Sequence, residues 1–324
     1  MRIGILTNIL AGNLQTASWS IIFAIIKHQE RLNTHQPSVT VATVVKRCGL
    51  SNQKQNSMDD RNITSGNRHN SFNQSLSNKI ALGRMEEYDA SKLNCWAFCK
   101  ATDVRNNITL SFGNLCKGFP FRLCGHLFQT SKAAYLCGEF SSGDIIGEAV
   151  QRSLMKEKNA FLAKKVIKRR NIEYVRKDWE EIRLQWMLYV VWGKCVGNEN
   201  FRNLLISLPD DAVIIEDSTA NHGATSSVWG AKNKCLRQVR RQRTKELCTQ
   251  FPAMKKKDLN ALISRECGKI TNIGCFIGQN NMGKILKMCQ IALRHNLTPP
   301  IDYGLLKEKR IYLFGELLTF DKEK

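Results

Sequence analysis

The chain has 324 residues, 43% of them hydrophobic, which is enough to bury one large core or two ordinary ones. Forty-nine Lys and Arg against 28 Asp and Glu give a formal charge of +21, which implies anionic partners (nucleic acid, phosphates or an acidic surface) unless it serves solubility alone. The 12 cysteines are scattered, with no CxxC and no HxxxH, which argues against a zinc cage or a disulfide framework and fits a reducing cytosol.

In chain order, the first 27 residues, MRIGILTNILAGNLQTASWSIIFAIIK, are apolar but interrupted by Asn8, Asn13 and Gln15. The longest clean run, Trp19 to Ile26, falls well short of the roughly 20 residues a spanning helix needs, so no membrane span is expected. The segment also lacks a signal peptide's clean core and cleavage site, and reads as a short amphipathic helix or strand. Residues 33 to 79 are rich in Asn, Gln and Ser and cannot bury enough apolar surface to offset chain entropy. Met85 then begins MEEYDASKLNCWAFCK, which reads as a domain start. Residues 1–84 are therefore expected to form a poorly ordered, dispensable extension, and 85–324 the domain.

Within that domain, 96–101 and 106–112 read as strands, and a helix starts at Thr130 and runs through Ala133, Ala134 and Leu136. One long basic helix is expected over 147–170, with Val150, Leu154, Phe161, Leu162 and Val166 on its buried side. Asp178 with Glu181 three residues on is a capping-box-like start for DWEEIRLQWMLYVVWGK, whose second half is apolar on most faces and should be central to the core. Further elements are a helix over 200–208, an apolar strand over 212–215, and a helix over 281–295 that stops before Pro299-Pro300. The stretch from Lys234 to about Ile270 is strongly basic and reads as a helical surface insertion.

Three segments carry residue choices that chemistry could use. In VIIEDSTANHGATSSVWGAKN an apolar strand ends at Glu216 and Asp217, and carboxylates at a strand's carboxyl end tend to face a crevice. Trp229-Gly230 in the same segment offers a flat stacking surface beside backbone that a ligand can approach. The bland alternative is that the acids cap a loop and the Trp fills the core. In GQNNMGKIL, Gly278 and Gly283 flank Asn280 and Asn281 at a helix start, where exposed amides suit phosphate or carboxylate. Asn280 as a simple N-cap reads equally well, and GxxxxGK without a following Ser or Thr is no P-loop. In LSFGNLCKGFPF, Asn114 sits in a tight turn between aromatics, the usual place of an Asx turn.

Taken together and in order, CWAFCK, FGNL, TSKAAY, RKDWEEIR, VIIEDS, VWGAKN and GQNNMGKIL resemble the NADAR family across roughly residues 95–295, the basic insertion apart. The resemblance implies an α+β fold, a helix-rich single domain with a small mixed sheet. It also implies cytoplasmic N-glycosidase activity, cleaving the C1–N bond of an ADP-ribose-like or phosphoribosyl-amine compound, an ADP-ribosylated nucleobase included. No cofactor and no metal are implied. Carried over residue by residue, Glu216 matches the family's strand-end acid, Trp229-Gly230 its WG pair, and Asn280 and Gly283 its GxNxxG stretch. Asn114 matches the loop Asn, and Lys194 a Lys on the central helix, although a helix Lys can equally snorkel outward.

One position departs from the family. Where it reads Thr/Ser-Ser-Glu, this chain has Thr130-Ser131-Lys132, and Glu139 stands seven residues on, where several relatives carry a basic residue. Positions seven apart share a helix face, so an exchanged Lys132–Glu139 ion pair is one expectation. Cleaving a C1–N bond builds positive charge on the ribose. Glu216 would stabilise that charge or activate water, and Trp229 would stack on a base. Asn114 and the amides near Asn280 would hold ribose and phosphate, and Lys132 would grip a phosphate or act as a nucleophile if its pKa is depressed. Two other functions fit the sequence: a non-catalytic ADP-ribose or nucleotide reader, and a DNA- or RNA-binding module using the basic insertion and the Lys164, Lys165, Lys168, Arg169, Arg170 run.

Overall fold

The computed structural model of the protein describes residues 65–223 and 225–320. The apolar first segment lies outside the described residues, as does most of the Asn/Gln/Ser-rich stretch. Residues 65–84, expected to belong to a poorly ordered extension, are instead built into the body. Helix α1 (Ser65–Lys79) buries Leu76 in the main core and sets Phe72 against His295, ring centroids 5.5 Å apart. Leu76 and Phe72 are four apart, one helical face, and that small apolar stripe suffices once a partner surface exists.

The strands are short. β1 (Glu86–Asp89), β2 (Cys95–Phe98) and the two-residue pair β3 (Val104–Arg105) and β4 (Ile108–Thr109) precede a hairpin of β5 (Phe121–Leu123) and β6 (His126–Phe128). The strand expected over 106–112 shrinks to β4 because Asn106 and Asn107 both take left-handed φ, forming the two-residue turn that pairs Arg105 with Ile108. Helix α2 (Ser131–Glu139) starts where expected, with the Thr130 side chain accepting from the Ala133 amide.

The single long helix expected over 147–170 is broken. α3 (Ile145–Lys156) stops, Asn159 caps α4 (Ala160–Leu162), and the chain runs on as a π-helical turn over Ala163–Lys168. The Asn159 carboxamide accepts from the Phe161 and Leu162 amides and restarts the helix in a new phase, so Phe161 is exposed and Ala163 takes the buried place. Asp178 stands at the start of the central helix α5 (Trp179–Gly197) but makes no cap bond; both its oxygens take the guanidinium of Arg176 instead. α5 buries Ile182, Trp186, Met187, Leu188, Val190 and Val191, and α6 (Glu199–Ile206) follows.

Strand β7 (Val213–Glu216) pairs parallel with β2. After the short α7 (Ser226–Trp229), β8 (Ala231–Lys232) joins a three-stranded antiparallel sheet in the order β1–β9–β8, with β9 at Cys275–Gly278. A bridge between Asp217 and Ala231 couples the two pieces, so Glu216 sits at the seam of a small mixed sheet. The basic stretch forms α8 (Lys234–Gln250) and α9 (Lys256–Lys269), which pack on each other and bury only Leu236 and Leu247. α10 (Asn281–Arg294), α11 (Tyr303–Glu308) and the hairpin β10 (Tyr312–Leu313) and β11 (Glu316–Leu317) close the chain. The architecture is α+β, and no helix among the described residues is long and apolar enough to cross a membrane.

The open edge of β7 is closed by one side chain. Asn280 donates from Nδ2 to the Ile214 carbonyl (2.8 Å) and accepts at Oδ1 from the Glu216 amide (3.1 Å), as a neighbouring strand's peptide would. It does so from a left-handed backbone (φ 49°, ψ 37°), which Asn tolerates better than most residues. Directly behind it, a Cβ on Gly283 would lie 2.1 Å from the Ile214 carbonyl, so only glycine lets α10 approach the strand this closely.

Two outcomes follow from this packing. Asn280→Ala leaves two buried backbone groups unpaired and should lower unfolding free energy by about 2–4 kcal/mol in a denaturant titration. Lys284, nearly fully buried, holds the carbonyls of Ala81 and Arg84 as well as Glu86. Deleting residues 1–84 should therefore lower the melting temperature by several degrees relative to deleting 1–64; equal melting would show that α1 contributes nothing.

Candidate active site

Glu216 is aimed by β7, whose register against β2 sets it opposite Phe98 and whose end is fixed by Asn280 and by Gly230. A Cβ on Gly230 would lie 2.3 Å from the Glu216 carbonyl and 2.1 Å from the Ser218 hydroxyl, so the WG pair's glycine serves the close packing of chain behind the acid. The Glu216 Oε2 is fully buried and has no hydrogen-bond partner. Burial pushes its carboxyl up to about 7, against the downward pull of the Lys132 and Lys164 charges.

Lys132 enters from the first turn of α2. Its amide donates to the Asn114 carbonyl (3.0 Å), which ties the FGNL loop to this helix, and its Nζ lies 4.4 Å from the centre of the Tyr135 ring. Burial pushes the amine down to about 7; Lys164 and Lys168 add to the depression, while Glu139 and Glu216 oppose it. The exchanged Lys132–Glu139 ion pair does not form. Glu139, buried, accepts at Oε1 from Lys168 Nζ at 2.7 Å, because the π-helical turn brings that lysine over α2. Its Oε2 is buried without a partner.

Aromatic rings bound the same region. Tyr135 meets Trp229 edge-on at 5.4 Å and Trp179 at 5.0 Å, so Trp229 stands on the ring that carries the Lys132 ammonium. Asn114 donates from Nδ2 to the Met282 sulfur (3.4 Å), and its Oδ1 is another buried acceptor without a partner. Asn114, Lys132, Glu216 and Trp229 are thus brought together, with Tyr135, Glu139, Lys164 and Lys168 as neighbours that motif reading did not place there.

Three sequence candidates stand elsewhere or behind. Asn280 is fully used by β7 and supports Glu216 from beneath, while Gly283 serves helix–strand contact. Lys194 lies buried under the loop after Asn114, its Nζ 3.9 Å from the Phe201 ring and 5.0 Å from Phe119, with no hydrogen-bond partner. Burial there pushes its amine down to about 8. Lys164 and Lys168, read with their neighbours as part of a nucleic-acid surface, add positive charge near Lys132, Glu139 and Glu216. A repeating KK-x-x-K in a basic run carries no mark of which of its members turns inward.

No protein-family model and no curated protein matches this chain. Among solved structures it is similar to the NMR structure of the E. coli protein YbiA, at 16% identity and a TM-score of 0.37, over 64% of this chain and 92% of that one. The likeness is slight.

An acid and an amine held near 7 by burial both cost folding free energy at some pH. Glu216, raised above its ordinary value, stabilises least above pH 7, where it must ionise in place; Lys132, lowered, stabilises least below pH 7. Glu216→Gln should therefore raise unfolding free energy by about 1–3 kcal/mol at pH 8. The gap should close toward pH 5, and equal stability at both pH values would show that the carboxylate is solvated.

Proposed function

We propose that this protein hydrolyses the C1–N bond of a phosphorylated ribosyl compound of ADP-ribose type, an ADP-ribosylated nucleobase among them. The observation that carries the reading is a set of buried acceptors without partners: Glu216 Oε2 and Glu139 Oε2, whose charges act on Lys132, and Asn114 Oδ1 on the loop whose carbonyl holds the Lys132 amide. Buried acceptors left unsatisfied call for a ligand rich in donors, and a ribose supplies two hydroxyls. Lys164 and Lys168 add charge that suits phosphate, and the Tyr135 and Trp229 rings offer apolar walls for a base.

In this mechanism the Glu216 carboxylate lies against the ribose as positive charge builds on C1 and O4, and it takes a proton from the attacking water. The water oxygen bonds to C1 as the C1–N bond breaks. The Lys132 ammonium delivers a proton to the departing nitrogen, and the proton held by Glu216 later returns to Lys132 or to solvent. Both groups need pKa values near the working pH, and burial supports that for each. Binding without cleavage is the second reading, favoured by Lys132 standing where the family resemblance expects a Glu; it keeps the same ligand.

Incubation with NAD, ADP-ribosylated guanosine and riboflavin-pathway intermediates, followed by mass detection of free base, decides between them. Release of base from at least one is expected, falling 10²–10⁴-fold in Glu216→Gln with KM little changed. Binding of ADP-ribose with no release from any substrate identifies the reader. Because Glu216 acts ionised and Lys132 protonated, kcat/KM should trace a narrow bell centred at about pH 7. Glu216→Gln should flatten the acid limb, and Lys132→Gln the alkaline one.

A further inference from the structure

The α8–α9 pair gives the core little beyond Leu236 and Leu247, and gives the candidate active site no side chain. Residues 234–270 carry eleven basic against three acidic side chains, a bias a structural hairpin does not need. The pair forms one wall of an open groove of about 1050 Å³, whose other wall comes from the β2–β4 region and the chain after β7. Arg237, Arg240 and Arg241 line it from α8, Arg265 and Lys269 from α9, and Lys100 and Arg105 from the opposite side.

The α8 arginines that line the groove are held but not neutralised. The Arg237 guanidinium donates to the Thr219 carbonyl (3.2 Å) and that of Arg240 to the Ile270 carbonyl (2.9 Å). Arg240 Nε is buried with no partner. Among the described residues none of Lys100, Arg237, Arg240 and Arg241 forms an ion pair, whereas Arg265 and Lys269 share Glu266. The two acids lining the groove are occupied by backbone amides: Asp103 accepts from Cys99 and Lys100, and Asp217 from Thr219. The carbonyl-anchored guanidiniums of α8 line one wall of this trough and Lys100 and Arg105 the other, so positive charge runs along both sides.

From this geometry we infer that the groove between α8–α9 and the β2–β4 region binds the phosphate backbone of a nucleic acid strand. An acidic membrane surface would demand the same charge, but it also asks for several apolar side chains to insert, and the groove exposes only Val104, with no large hydrophobic residue exposed on α8 or α9. The groove also carries no aromatic platform facing out from α8 or α9, so recognition rests on phosphates and is sequence-independent. The surface is independent of the glycosidase reading, because none of its cations touches Glu216 or Lys132.

The test uses the full chain and fluorescent 20-nucleotide single-stranded DNA, single-stranded RNA and duplex DNA, with phosphatidylserine vesicles as the competing polyanion. Binding to at least one nucleic acid is expected, with affinity falling steeply with salt. Lys100→Gln/Arg237→Gln/Arg241→Gln should weaken it at least tenfold and make the log–log salt dependence shallower by about 2. Lys156→Gln/Lys158→Gln/Lys177→Gln removes the same charge from exposed positions outside the groove and should change affinity less than threefold. Equal weakening by the two triples would reduce the effect to net charge, and binding to vesicles alone would assign the face to membranes; either overturns the proposal. Melting curves of both triples establish that they fold, and unchanged binding by Glu216→Gln separates this surface from the fate of the glycosidase reading.

Discussion

The site depends on the amide of Asn280 standing in for a missing strand. β7 is paired on one edge only, by β2, and a strand end of four residues has little to hold it straight. The two side-chain bonds from Asn280 complete the ladder at Ile214 and Glu216, and the left-handed turn that places them also starts α10. Glu216 is thereby fixed by its own backbone amide, while its carboxylate spends no hydrogen bond on the protein. A group held from behind and unsatisfied in front is what a preorganised electrostatic site requires.

The electrostatics around Lys132 follow from that placement. Two carboxylates and three lysines are gathered on α2, β7 and the π-helical turn, yet only Lys168 and Glu139 pair closely. A protein selected for stability alone would pair the remainder or replace them with apolar groups, since buried unpaired charge is costly. Here the cost is spread: burial drives Glu216 and Lys132 toward neutrality from opposite sides, each to about 7. Burial and specific charged neighbours acting together on such groups are a mark of candidate functional sites.

Much of this was legible in residues whose role is local. Trp179 to Gly197 read as the central helix because its second half is apolar on most faces, and Thr130 read as a helix start because a threonine before a helical pattern can cap it. Glu216 could be singled out because an apolar strand ends on it. Relationships across the chain were not legible. Nothing in Lys164 or Lys168 separates them from Arg169 or Arg170 until the Asn159 cap resets the helix phase, and that reset also broke the single long helix expected there. Asn280 looked like a ligand contact or a cap because both uses share one sequence signature; its actual partner lies 66 residues away at Ile214. The start of the folded body was misplaced at Met85 because a polar helix with one apolar stripe looks disordered until Phe72, Leu76 and the carbonyls held by Lys284 are seen in their packing.

The central claim is that the unpartnered acceptors around Lys132 receive a ribose and that Glu216 directs water at its C1. Base release run in ¹⁸O-labelled water tests it most directly. The account predicts one ¹⁸O in the freed sugar, none in the base, and loss of both products in Glu216→Gln. Base freed without label in the sugar, or labelled sugar formed at an undiminished rate by that variant, would contradict it.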